Sequence, residues 1–160
     1  MARHKARISR GEARDAAPMN RFEMKLEPYV FFYGRCEEAL AFYKKVLGGD
    51  YNIIRFEGAP MGHDVPADYQ NKVMHADFKG PGFALMASDG PPGKTVDPDA
   101  GNIALSLELS TAAEGKRVFD ALAEGGKVTV PLDNVEWGGG GKFGIIQDRF
   151  GSEWMITSPQ

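Results

Sequence analysis

The sequence of 160 residues has one cysteine, Cys36, and only three histidines. A single cysteine excludes an intramolecular disulfide and a zinc-binding thiolate cluster, and it suits a reducing compartment. No apolar run approaches the roughly twenty residues needed to cross a bilayer. These absences predict a cytoplasmic protein with no membrane partner.

Excess positive charge is also lacking. The chain carries 19 Lys and Arg against 22 Asp and Glu, and its formal net charge is -3. Nonspecific nucleic-acid binding needs a clustered positive surface, so we expect no nucleic-acid partner. The hydrophobic content of 42% is ordinary for a globular domain. A small molecule is the expected partner.

Residues 1–23 differ in kind from the rest of the chain. They have few apolar anchors and lack the apolar central segment of a secretion signal, which predicts a flexible basic N-terminal tail. Glu12 and Asp15 interrupt its positive charge. A second interpretation is an interaction arm for nucleic acid or an acidic partner, and a third is that the working protein begins near Met19 or Met24.

The segment from residue 24 to about residue 90 has the order strand, helix, strand, strand, strand. A β-prone run covers residues 26–33, and residues 36–47 have the apolar spacing of an amphipathic helix. Gly48 and Gly49 end that helix. Further strands are predicted at residues 51–56, 73–78 and 83–88.

Residues 101–158 repeat this order. A strand is predicted at residues 102–109 and a helix from Ser110-Thr111 to about Ala123, with strands near residues 127–132, 142–147 and 153–157. Gly125-Gly126 lies 77 positions after Gly48-Gly49, and Phe119 lies 77 positions after Phe42. We therefore expect an α+β fold of two βαβββ modules that pair into a curved mixed sheet with a cleft on its concave side.

Several segments carry a family resemblance. They are EPYVFF (27–32), CEEALAFY (36–43), VLGG (46–49), MHAD (74–77), FDALAEGGKV (119–128), FG (143–144) and DRFGSEWMI (148–156). Together they resemble the PhnB-like branch of the vicinal oxygen chelate superfamily, which includes glyoxalases, bleomycin-resistance proteins and extradiol dioxygenases. Relatives are often labelled demethylubiquinone methyltransferase-like. The resemblance implies the vicinal oxygen chelate fold over residues 24–158 and a homodimer.

Metal enzymes of that superfamily place His, Gln or Glu ligands on the first and last strands of each module. Counting from the helices, these positions fall near Pro28 and Leu105, and at Met86 and Met155. None of the four is a ligand for a hard divalent cation. We therefore expect no cofactor and no metal triad. The alternative is a divalent-metal-dependent lyase, isomerase or dioxygenase that uses His75, Glu153 and a further residue.

His75, Met86, Trp137 and Met155 are the candidate ligand-binding residues. In strand geometry Val73, His75 and Asp77 share one face, and Met74, Ala76 and Phe78 share the other. If the more apolar set meets the helices, His75 faces the cleft. Because imidazole exchanges a proton near neutral pH, His75 is a weak catalytic candidate and a polar anchor for a ligand, unless it only holds the sheet together.

The other candidates have apolar side chains. Met86 and Met155 would make an adaptable cleft floor, and Trp137, before a run of four glycines, would close over a flat ligand or belong to a plain turn. Trp154 is predicted to lie in the core. Cys36 lacks an evident adjacent base, so we interpret it as structural.

Overall fold

The computed structural model describes residues 25–160 except 98, 100 and 138. The predicted basic tail lies outside these residues. The elements in chain order are β1 (Tyr29–Phe31), α1 (Cys36–Leu47), β2 (Asp50–Arg55), β3 (Val73–Gly80), β4 (Phe83–Ser88), β5 (Leu105–Glu108), α2 (Ala112–Ala123), β6 (Lys127–Val135), β7 (Gly141–Gln147) and β8 (Glu153–Ser158). Two short 3₁₀ segments, Pro60–Asp64 and Ala67–Tyr69, connect β2 to β3.

Each half of the chain forms its own four-stranded mixed sheet. Sheet one has the order β1-β4-β3-β2 and sheet two the order β5-β8-β7-β6. In both sheets the first strand is parallel to the last strand, and the other neighbours are antiparallel. This confirms the predicted α+β fold of two βαβββ modules. The described strands form two separate sheets. Side chains of both modules pack into one core, and this packing joins the modules.

The internal repeat is visible in strand register. Tyr29 pairs with Met86 in sheet one, and Ser106 pairs with Met155 in sheet two. The helix ends also match. A Cβ atom at Gly49 would overlap the carbonyl oxygen of Lys79, and one at Gly126 would overlap that of Gln147. Glycine is required at both places because the helix end contacts the strand backbone so closely.

Both predicted helices are confirmed. The hydroxyl of Thr111 accepts a hydrogen bond from Glu114 N at 3.2 Å, which caps α2. The start of α1 is capped by the residue that follows β4, because the buried carboxylate of Asp89 accepts hydrogen bonds from Gly34 N at 2.9 Å and Cys36 N at 2.7 Å. The same carboxylate accepts from Val73 N at 2.7 Å, so one side chain joins α1, β3 and β4.

The edge strands differ most from the sequence prediction. β1 covers three residues because Pro28 precedes it and Tyr33, with φ of 44°, turns the chain toward α1. β5 is also shorter than predicted. β6 runs beyond the predicted end to Val135, with register shifts on either side of Val130. Pro131 fits there because an edge strand tolerates a residue without an N–H.

One hydrophobic core joins the two modules. It contains inward residues of both helices and both sheets: Phe32, Cys36, Ala39, Leu40, Tyr43, Val46, Val73, Ala76, Phe78, Leu85, Ala87, Val118, Phe119, Leu122, Ile146, Phe150, Trp154 and Ile156. Trp154, predicted for the core, is 1% exposed. Among the residues described, neither helix combines the length and hydropathy of a membrane span.

Candidate functional site

The face of sheet one that lies opposite the core carries a compact set of aromatic, polar and sulfur-containing side chains. Register places Tyr29 beside Met86 and Met86 beside Asp77, so these side chains share one face. Ile54 lies next to His75 on that face. Ala76 and Phe78 are buried on the opposite side, as the alternation predicted. His75 therefore points away from the helices, as expected.

Val73 is the exception to that alternation. It was predicted to share a face with His75, yet it is 1% exposed and belongs to the core. The register between β2 and β3 shifts between Ile54 and Arg55, and this bulge turns Val73 inward. Its backbone N–H then reaches the Asp89 carboxylate.

Tyr29, His75 and Asp77 form a polar cluster, the Tyr29–His75–Asp77 cluster. The Tyr29 hydroxyl lies 3.0 Å from Nδ1 of His75, and Nε2 of His75 lies 3.6 Å from Oδ2 of Asp77. Burial, reinforced by the nearby acidic groups, raises the pKa of Tyr29 above its ordinary value, so the phenol keeps its proton at neutral pH. The imidazole is thus oriented by a neutral hydroxyl on one side and faces a carboxylate on the other.

Tyr29 also lines a groove of about 590 Å³ that runs from β1 to the second module. One wall comes from Tyr29 and Phe31, and the segment before β5 contributes Val96 and Ile103. The remaining lining includes Lys127, Thr129, Gln147, Phe150, Ser152 and Glu153. The size is suitable for a small organic molecule, and Tyr29 connects this groove to the Tyr29–His75–Asp77 cluster.

The four candidate residues are distributed over both modules. His75 and Met86 lie close together on sheet one, and Met155 lies on sheet two beside Ser106. Trp137 is 59% exposed beyond β6, where its ring packs edge-on against Phe143 at 5.0 Å. Its pocket is lined by second-module residues and does not include the other three candidates. Gly138 of the glycine run lies outside the described residues.

Strand register also refines the four positions at which the resemblance led us to look for metal ligands. Leu105 pairs with buried Trp154 and packs against the core, so it cannot face the cleft. The first-strand positions that share a face with Met86 and Met155 are Tyr29 and Ser106, one residue later than the count from the helices. In the part of the chain that the structure describes, no group of three or more His, Cys, Asp or Glu side chains converges as a metal site. Glu153 lines the groove on the second module, and His63 lies on the exposed 3₁₀ segment.

Tyr29 and Phe31 are the site residues that sequence reasoning missed. They were assigned only to a β-prone run, yet they are 40% and 46% exposed and their ring centroids lie 5.2 Å apart. A signal was available, because Tyr29, Phe31 and Tyr33 alternate with other residues at strand spacing. Deciding which face they occupied required the pairing with β4.

The fold first defines the class of protein to which the chain belongs. Two βαβββ modules, each with one sheet face on a shared core and one face open, make a glyoxalase-like α+β protein. A glyoxylase/bleomycin resistance protein/dioxygenase domain from Frankia sp. EAN1pec has this fold, with a TM-score of 0.53, 16% identity, and coverage of 84% of this chain and 88% of that one. At that identity the likeness concerns the fold alone.

The family follows from closer matches. The family model described as 3-demethylubiquinone-9 3-methyltransferase matches residues 24–157. Protein YjdN of Escherichia coli is 34% identical over 147 residues, which cover 84% of this chain and 95% of that protein. The chain therefore belongs to the PhnB-like, 3-demethylubiquinone-9 3-methyltransferase-like family.

Two solved structures agree with this assignment. Protein PA1353 from Pseudomonas aeruginosa has a TM-score of 0.73 and 39% identity, covering 86% of this chain and 99% of that one. A putative 3-demethylubiquinone-9 3-methyltransferase, PhnB protein, from Bacillus cereus has a TM-score of 0.66 and 26% identity, covering 84% and 99%.

Proposed function

We propose that this PhnB-like protein binds a small molecule on the open face of sheet one, using His75 and Met86 with Tyr29 and Phe31, and that the ligand extends into the adjoining groove. The observation that carries the proposal is the 3.0 Å contact between Tyr29 and His75 on a face that neither of the described helices covers, with the same tyrosine lining a groove of about 590 Å³. Oriented polar groups next to exposed rings are typical of ligand sites.

The side chains of this face favour binding. Met86 occupies a position where superfamily metal enzymes place a carboxylate, and a thioether is a poor ligand for hard cations but an adaptable apolar surface. Tyr29 and Phe31 supply large, rigid contact area. Nδ1 of His75 is held by Tyr29, which fixes the ring and lowers the cost of ordering it when a ligand binds.

A fragment screen followed by amide chemical shifts tests the proposal. We expect hits to shift the resonances of Tyr29, Phe31, His75 and Met86. Tyr29→Phe or His75→Ala should lower the affinity of these hits by about fivefold to tenfold, as expected for the loss of one hydrogen bond. His63→Ala is the matched control, because His63 is exposed on the 3₁₀ segment Pro60–Asp64 and does not line the groove. Hits that map elsewhere, or that respond equally to His63→Ala, would reject the site.

We propose further that the protein forms a homodimer through its open sheet faces. Ile54 and Val130 are 53% and 36% exposed, and neither lines the groove. Apolar side chains on uncovered sheet faces favour association, and a second copy would also help enclose the ligand. Sedimentation at micromolar concentration should give twice the chain mass, and Ile54→Lys should shift it toward monomer. A monomer at all concentrations would refute the dimer.

A further inference from the structure

We infer that the ligand of this site carries a flat aromatic ring system, which packs against a row of rings along β1. This inference rests on the proposed function, since it names the chemical class that the same site would select. The row is continuous, both of its ends are held in place, and the groove beside it carries charges of both signs.

The aromatic row consists of His75, Tyr29, Phe31 and Tyr33, in that order in space. The ring centroids of His75 and Tyr29 lie 5.7 Å apart, those of Tyr29 and Phe31 5.2 Å, and those of Phe31 and Tyr33 6.0 Å. Tyr29 and Phe31 are partly exposed, and both line the groove. A ligand that occupies the groove therefore contacts aromatic rings along this wall.

Both ends of the aromatic row are held in place. At one end the Tyr29 hydroxyl lies 3.0 Å from Nδ1 of His75. At the other end the rings of Phe31 and Tyr33 lie against Gly90, where an added Cβ atom would come within 3.0 Å of the first ring and 3.1 Å of the second. Rings that are already fixed lose little conformational freedom when a ligand packs against them, and this favours affinity.

The backbone of Tyr33 is strained. With φ of 44°, Tyr33 is the single non-glycine residue with positive φ in the part of the chain that the structure describes. A glycine would turn the chain toward α1 at a smaller cost. Backbone strain of this kind clusters at ligand sites, and here it brings the Tyr33 ring beside Phe31, with 15° between the two ring planes.

Charge does not decide the ligand class at this site. The charged side chains that line the groove are one base, Lys127, and two acids, Asp99 and Glu153. Aromatic pairs in offset or edge-to-face arrangements are favoured beyond the burial of apolar area alone. The aromatic row therefore selects an aromatic ring system over a saturated one of the same size.

Two neutral probes of matched size separate ring interactions from simple apolar burial. They are 2-naphthalenemethanol, which is flat and aromatic, and its fully saturated counterpart decahydro-2-naphthalenemethanol, which carries the same alcohol group. Affinities are read from amide chemical shifts of the full chain, with each probe titrated to its solubility limit. We expect the aromatic probe to bind about threefold to tenfold more tightly than the saturated one.

Phe31→Leu removes one ring of the row but keeps an apolar side chain. It should weaken 2-naphthalenemethanol by about threefold to tenfold and leave the saturated probe nearly unchanged. The matched control is Phe143→Leu, because the Phe143 ring packs against Trp137 and lines a separate pocket of the second module.

Equal affinities for the two probes, or equal effects of the two variants on the aromatic probe, would overturn the aromatic inference while leaving ligand binding intact. Binding of neither probe would overturn it as well. The fragment screen decides the proposed function separately, since hits on this face that lack an aromatic ring would keep that function and reject the aromatic class.

Discussion

The Tyr43 hydroxyl donates a hydrogen bond of 2.6 Å to the carboxylate of Asp148, 105 positions along the chain. Tyr43 lies on α1 of the first module, and Asp148 lies in the turn between β7 and β8 of the second. Asp148 also accepts from Nε1 of Trp154 at 2.8 Å and from the backbone N–H groups of Phe150 and Ser152. A buried carboxylate with all of these donors ties the modules together inside their shared core.

Tyr43→Phe should lower the free energy of unfolding by about 1–3 kcal/mol, because the Asp148 carboxylate loses a donor where water cannot replace it. Urea denaturation checks this. Tyr51→Phe is the matched control, because the Tyr51 side chain is partly exposed and its hydroxyl has no hydrogen-bond partner among the described residues. We expect that control to change stability by less than about 0.5 kcal/mol, and equal effects of the two variants would contradict the role of the Asp148 bond.

Asp89→Ala should destabilise the first module by about 3 kcal/mol or more, because the N–H groups of Gly34, Cys36 and Val73 lose one shared acceptor. Thermal unfolding provides the measurement. Thr111→Ala, which removes the cap of α2 at an exposed position, should cost about 1 kcal/mol. An Asp89 variant as stable as the Thr111 variant would show that the three-way contact adds nothing to ordinary helix capping.

Cys36 should not react with a thiol reagent in the native protein. It is fully buried, and burial, followed by the charges of Asp89 and Glu37, raises the pKa of its thiol far above the ordinary value. As Cys36 is the single cysteine, labelling should follow global unfolding in increasing urea. Rapid labelling without urea would contradict this.

The same pKa shift predicts a pH effect. Because the native state holds the Cys36 proton more tightly than the unfolded chain, stability contributed by the neutral thiol is present below the ordinary thiol pKa. It should fall as the pH rises above that value, where the unfolded chain releases its proton. Urea titrations at increasing alkaline pH check the direction, and Cys36→Ala should flatten the slope.

Protein purified without chelator should contain far less than one divalent ion per chain, and divalent ions should not raise its melting temperature. The reason is that Tyr29, Met86, Ser106 and Met155 occupy the paired positions on the open faces. Near-stoichiometric metal, with a melting shift that His75→Ala abolishes, would instead support the metal-dependent lyase, isomerase or dioxygenase.

Strand pairing explains why only part of the site could be predicted. The orientation of His75 follows from simple alternation along β3, so the sequence was sufficient for it. Tyr29 and Phe31 lie on a three-residue edge strand whose pattern is too short to assign a face. Their position depends on parallel pairing with β4, which lies more than fifty residues away in the chain.

The sequence by itself determined the two modules, their helices and most of their strands, because apolar periodicity and glycine at helix ends are local properties. It also determined the family, through segments in a compatible order. The tertiary structure alone decided that the modules share one core while keeping separate sheets. It also decided that Tyr29 meets His75 and that Trp137 lies apart from it, since contacts between distant segments depend on how the whole chain packs.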